Sequence, residues 1–333
     1  MSEVIEIKEN KNLIQNTRIS WIDTAKGFLM LCVIAGHTLP LGSTPERLIY
    51  SFHIPLFVIL SGYTMGEPKS FYDFFERIKK SFIQLYIPMF VIYAIEAVGF
   101  KVKNNLELVE TLILFIRTVV YAIHVPWFLC VLFYARLIYS LILLLKIENP
   151  ILFILIFVTG FFIQKIPDFH GFYQQLEKLP FFMFFLFVGR YSKKYGIEFF
   201  LKNHGTLFVF FLMPVWAILL PYSYFDLGLF YLGNPRFTIL CSGIACLLMS
   251  YFCMTIDQYK FFKVPLSFIG KHTILLLAIH DLEFLLLPRN SHFTNRMAEY
   301  GTLLLKIGFN IAVCVIILTG CFVISKMRKK NDL

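Results

Sequence analysis

Apolar residues run through this chain in long blocks, separated by short polar clusters, and most of the blocks approach the ~20 residues that cross a bilayer as a helix. Blocks of this kind lie at Ile22–Leu41, Tyr50–Gly66, Phe82–Phe100, Trp127–Leu145 and Pro150–Ile163. Five more lie at Leu179–Tyr191, Thr206–Tyr222, Phe237–Ile256, Val264–Leu286 and Thr302–Ile324. The pattern predicts an all-α, polytopic transmembrane helical bundle of about ten transmembrane helices. The stretch Leu106–Ala122 is apolar at helical spacing but carries Glu107, Glu110 and Arg117, and is read as an interfacial or half-inserted helix.

Polar clusters set the orientation. Placing the N-terminus in the cytoplasm puts Lys69, Arg77, Lys79, Lys80, Arg190, Lys193, Lys194, Lys260 and Lys263 on the inner side, together with Lys8, Lys11, Arg18, Lys326 and Arg328. The outer segments then hold about half as many cations as the inner ones, among them Arg47, Lys178 and Arg236. Both termini are therefore expected in the cytoplasm of a cell whose inner (cytoplasmic) membrane holds the chain. Residues 1–20 form a cytoplasmic tail, 21–326 a single membrane domain and 327–333 a second tail. The N-terminal tail shows no apolar core and no small-residue cleavage site, so no cleaved signal is expected.

Composition agrees: 58% of the residues are hydrophobic and 16% charged, against roughly 25% charged in soluble domains. A net charge of +10 would suit nucleic acid, but the cations sit in short clusters between spans, where the positive-inside rule puts them. Nucleic-acid binding is set aside. The seven cysteines fall inside apolar runs without metal-ligand spacing and read as small buried residues, so no metal is expected.

Ionisable groups inside a span cost about 2.5–3.5 kcal/mol each on insertion scales and usually face a cavity or a partner. The first span carries three, Asp23, Lys26 and His37. Eleven residues return a helix to within about 20° of the same face and ~16 Å further along, so Lys26 and His37 share one stripe, with Asp23 beside Lys26. His53, His280 and Asp281 lie toward the outer face with His37; Arg77, Lys79, Lys80, Arg190, Lys271 and His272 lie toward the inner face with Lys26. Each has a plainer reading: Arg77–Lys80 as a positive-inside loop, His53 and His280 as packing hydrogen bonds, Arg136 and Lys306 as snorkelling or paired charges. Taken together they make a two-tier site, cationic inside and imidazole-rich outside. A phosphate-bearing donor with a long thin arm suits it, and coenzyme A has that shape, with a thioester at the far end of its pantetheine arm. Histidine can take a proton from a hydroxyl and return one to a leaving thiolate.

These residues resemble the acyltransferase-3 superfamily, and within it the stand-alone members similar to fucose 4-O-acetylases. Lys26 and His37 match the family's Arg or Lys, ten residues, then His motif, with Asp23 before it. SFHIPLFVILSGY (Ser51–Tyr63), RIKKSFIQLYIPMF (Arg77–Phe90), Trp127-Phe128-Leu129 and GKHTILLLAIH (Gly270–His280) follow in family order. The resemblance covers nearly the whole chain. It implies about ten helices, acyl-CoA as the donor co-substrate without a permanently bound cofactor, and an envelope glycan or lipid-linked sugar as the acceptor. His37 comes over as the catalytic residue and Lys26 and Arg77 as donor-side groups. Where many members carry two arginines this chain has Arg77 and Lys80, which keeps the charge and loses one bidentate fork. The expected roles are His37 with Asp23 as the catalytic pair; Lys26, Arg77 and Lys80 on the donor; and His53 and His280 on the substrate. The transferred group is expected to be acetyl. A transporter or flippase would also place charges in spans, but many of these show an internal repeat and none is visible here.

Overall fold

The computed structural model describes residues 19–122, 124, 126–166, 173–286 and 296–331, with side chains at all of these except 284–286, 296–302 and 321–331. The charges expected at Lys8, Lys11, Arg18, Lys326 and Arg328, and the side chain of Cys321, lie outside that description.

The chain is a helical membrane bundle. α1 (Ser20–Gly36) is followed by a short α2 (Thr44–Tyr50) and α3 (His53–Tyr63). A 34-residue run, Phe71–Asn104, is α4 (Phe71–Ser81), one wider π turn (Phe82–Tyr86) and α5 (Ile87–Asn104). Next come α6 (Leu108–Tyr121), α7 (Trp127–Leu144), α8 (Pro150–Ile163), α9 (Leu179–Lys194) and α10 (Ile197–Leu219). A two-stranded hairpin, β1 (Phe225–Asp226) against β2 (Tyr231–Leu232), leads to α11 (Pro235–Ile256). α12 (Lys260–Lys271), α13 (Thr273–Leu286) and α14 (Arg296–Asn331) close the bundle.

Local chemistry starts several of these helices. Asn149 and Asn234 each precede a proline, and their side chains accept from the amides of Ile151 and Arg236, the Asn-Pro combination that caps a helix and pre-sets its first residue. The Ser43 and Ser70 side chains cap α2 and α4 by accepting from the amides of Glu46 and Asp73.

Among the described residues five helices are long and apolar enough to cross a membrane, six if α12 and α13 count as one span bent by 74°. The expected count of about ten is not reached on that measure, since α8 has 14 residues and α1 has 17. The span expected at Val264–Leu286 is the bent pair. The one expected at Phe82–Phe100 begins at Phe71, because the basic segment continues the helix instead of forming a loop. α14 runs to Asn331, through most of the expected C-terminal tail. α6, in the stretch expected to be interfacial, has 14 residues and points Leu108, Val109, Leu112 and Ile116 outward while burying Thr111 and Thr118. Exposed Phe210, Phe211, Ile218, Leu304 and Ile316 give α10 and α14 the apolar outer faces expected against acyl chains. The six cysteines described, Cys32, Cys130, Cys241, Cys246, Cys253 and Cys314, are buried and unpaired.

Two helix crossings are set by glycine. A Cβ on Gly27 of α1 would stand 1.9 Å from the Leu266 carbonyl oxygen of α12, and one on Gly270 would stand 1.8 Å from the Asp23 oxygen. Gly62 of α3 and Gly189 of α9 meet in the same way, at 2.1 Å from Leu186 O and 1.9 Å from Ile59 O. Small residues at matched positions let backbones touch, the usual basis of close helix packing in lipid.

The positive-inside asymmetry predicts the α4 side of the bundle in the cytoplasm. A cysteine placed at Lys79, which is exposed, should react with an impermeant thiol reagent only after cells are opened. Labelling from outside intact cells would reverse the arrangement.

Candidate active site

A cavity of about 380 Å³ runs between α1, α3, α7 and the α12–α13 break. α1 contributes Asp23, Lys26, Met30, Val33 and His37, steps of three, four, three and four, so the stripe read from the sequence is one wall. α3 adds Ile54, Phe57 and Ser61, and α7 adds Leu129, Leu132 and Arg136, again at helical spacing. Gln84 and Leu85 of the π turn and Gly270, Lys271 and Thr273 at the α12–α13 break complete the cationic end. Tyr50, His53, Trp127 and Asp226–Gly228 complete the other end.

His37 is not deep in a helix, as the sequence suggested. It is the C-terminal cap of α1, its amide bonded to the Val33 carbonyl at 3.1 Å, and it is accessible where it meets the cavity. Beside it lies His280 of α13, with ring centroids 5.4 Å apart. His280 is 5% exposed and is not among the cavity-lining residues. It stands behind His37, with Nδ1 3.4 Å from Glu283, instead of facing the cavity as a substrate-binding residue would. Both Glu283 oxygens are engaged, Oε1 by Lys306 at 3.1 Å and Oε2 by the Asn310 amide at 2.9 Å. Lys306 is therefore a paired charge, and Glu283 and Asn310, which sequence reasoning missed, link it to the neighbourhood of His280. The i, i+3 spacing of His280 and Glu283 was the available signal.

His53 is buried, and its Nδ1 lies 3.0 Å from the Ile49 carbonyl oxygen. A carbonyl only accepts, so Nδ1 carries a proton and donates there, which leaves Nε2 as the ring atom for the cavity that this side chain lines. The mouth near His53 is aromatic and acidic. Tyr50 stacks on Tyr224 with centroids 6.1 Å apart, and the Tyr224 hydroxyl donates to the buried Glu46 at 2.7 Å. Lys178 stands 4.3 Å over the Trp127 ring and donates to the Gly228 carbonyl at 2.8 Å. Burial holds the Asp226 carboxyl above its ordinary range and brings the Lys178 ammonium down to about 8. Nothing in the apolar pattern marked this hairpin, and Asp226 was not foreseen.

At the cationic end, Asp23 is buried and Lys26 half-buried, and the Gly27–Gly270 crossing brings Lys271 alongside them. Arg77 and Lys80 are not among the lining residues. The Arg77 Nε donates to Asp73 at 2.9 Å, and Lys80 is exposed on the same helix. Arg190 is tied to Glu67 at 2.7 Å and Glu148 at 3.2 Å, which accounts for its charge without a ligand.

The family model described as an acyltransferase domain, Acyl_transf_3, matches residues 19–326. The chain belongs to the acyltransferase-3 family. This membrane acyltransferase has no match among curated proteins or solved structures. Family membership supplies the reaction class.

Proposed function

We propose that this acyltransferase moves an acyl group, acetyl in the first instance, from cytoplasmic acyl-CoA to a hydroxyl of a cell-surface polysaccharide or lipid-linked sugar across the cytoplasmic membrane, with both termini inside. The observation that carries the reading is the single cavity joining a cationic end to a histidine-lined end. Lys26 holds donor phosphates, with Asp23 orienting it, and Arg77 and Lys80 gather the anion at the inner surface. The pantetheine arm then spans the ~16 Å between Lys26 and His37. His37 takes the proton of the sugar hydroxyl, and the hydroxyl oxygen attacks the thioester carbonyl. The C–S bond breaks, and the proton passes from His37 to the departing thiolate, so donor and acceptor balance without a net proton. An acyl-histidine relay uses the same atoms in two steps. His280, held by Glu283, fixes the His37 ring. His53 accepts a hydrogen bond from the sugar through Nε2, and Tyr50, Trp127 and Asp226 offer the apolar faces and acceptor that a sugar ring uses.

The test is release of free CoA from acetyl-CoA by purified protein in lipid nanodiscs, across a panel of envelope glycans. Release that depends on an added glycan, with acyl ester recovered on it, is the expected result. CoA release indifferent to every acceptor, or none at all beside solute movement in vesicles, would overturn the reading in favour of a transporter.

A further inference from the structure

Arg136 is a lone charge in the middle of α7, and the sequence gives no reason to rank it above a snorkelling residue. Its surroundings do. It follows Leu129 and Leu132 on the face of α7 that lines the cavity, so the side chain meets the cavity and not lipid. Its Nε is buried and has no hydrogen-bond partner among the described residues. Nine residues separate it from Trp127 at the histidine end, a rise of ~13 Å, close to the ~16 Å from His37 to Lys26. Arg136 and Lys26 therefore lie at similar depth on facing walls, near Lys271. Three cations share this end of the lining with one carboxylate, Asp23.

A guanidinium does not lose its proton in proteins, so it cannot escape the cost of burial by becoming neutral. Buried charges are paired, and a group aimed into a cavity with an unsatisfied N–H marks a place where an anion is expected. The planar fork of arginine fits two oxygens of one phosphate, which a lysine cannot reproduce. We infer that Arg136 is a donor-binding residue that grips the phosphate next to the pantetheine arm, with Lys26 and Lys271 as its point-charge neighbours. This rests on the acyl-CoA reading above and adds to it a residue and a depth. The phosphate is drawn into the bundle to the level of Arg136, beyond the surface cations Arg77 and Lys80, and the arm reaches His37 from there.

The experiment measures acetyl-CoA binding by calorimetry to the full chain in detergent, for wild type, Arg136→Lys and Arg136→Met. Methionine keeps much of the side-chain volume and removes the charge; lysine keeps the charge and loses the fork. Loss of one charge-assisted contact should weaken binding by about tenfold or more in Arg136→Met, with Arg136→Lys recovering part of it. The salt dependence of binding should be shallower for the methionine variant, since one ionic contact is gone. If Arg136→Met fails to fold, Arg136→Gln takes its place. Wild-type affinity in the uncharged variant, or equal losses in the lysine and uncharged variants, would show a packing role and overturn the assignment. Failure of wild type itself to bind acetyl-CoA would instead overturn the donor reading on which it stands.

Discussion

Alanine at position 37 is expected to leave a folded, membrane-inserted protein whose acyl transfer falls by roughly 10²–10⁴-fold, the usual worth of a positioned acid or base. His37 is the imidazole that both lines the cavity and lies on the stripe beginning at Asp23 and Lys26. As the C-terminal cap of α1 it contributes only its backbone to the helix, so truncating the side chain leaves that hydrogen bond in place. His37→Gln separates chemistry from packing more sharply, because an amide keeps a hydrogen bond but shuttles no proton. Glycan acylation in cells at equal expression is the measurement. Near-wild-type acylation by His37→Gln would move the chemistry to His53, which also lines the cavity, and not to His280, which does not.

Gly27→Ala is expected to do harm of a different kind. The added Cβ meets the Leu266 carbonyl, a backbone atom that cannot swing aside, so α1 and α12 must separate. Overpacking of this sort costs roughly 1–3 kcal/mol. The separation also moves Asp23 and Lys26 away from Lys271, so donor affinity should fall along with the thermal midpoint in detergent. Gly243→Ala, in α11, is the control: nothing lies within 4 Å of a Cβ there. Equal midpoints for the two variants would show that the crossing tolerates the methyl group, and that its closeness does not hold the site.

Much of the site was legible because it sits on helices. A 3.6-residue period is enough to place Asp23, Lys26 and His37 on one face, and the cavity wall follows that face. The helix ends were less legible. Leu39 and Leu41 extend the apolar run past Gly36, yet Pro40 disfavours helical geometry in the residue before it, and α1 stops at His37. The α12–α13 break was hidden because apolar residues flank Gly270-Lys271-His272-Thr273 on both sides, although the backbone turns there by 74°. Arg136 and Asp226 were the least legible. One is a single charge in a long apolar helix and the other lies in a hairpin, and what distinguishes each is a neighbour remote in sequence. The pairing of Arg190 with Glu67 and Glu148 was hidden in the same way, since the partners lie 123 and 42 residues away.

The π turn at Phe82–Tyr86 holds one residue more than a regular helical turn would, and two of its five residues, Gln84 and Leu85, face the cavity. Removing one residue from it would restore an ordinary helix and rotate α4 by about 100° against α5. The Asp73–Arg77 face would then point to a new azimuth while the apolar block that begins at Phe82 became only one residue shorter. Two chains of this kind could thus differ by a single residue in their apolar profiles and yet present different faces at the α4 end of the cavity, and the residue count between Arg77 and Gln84 records which phase a chain has.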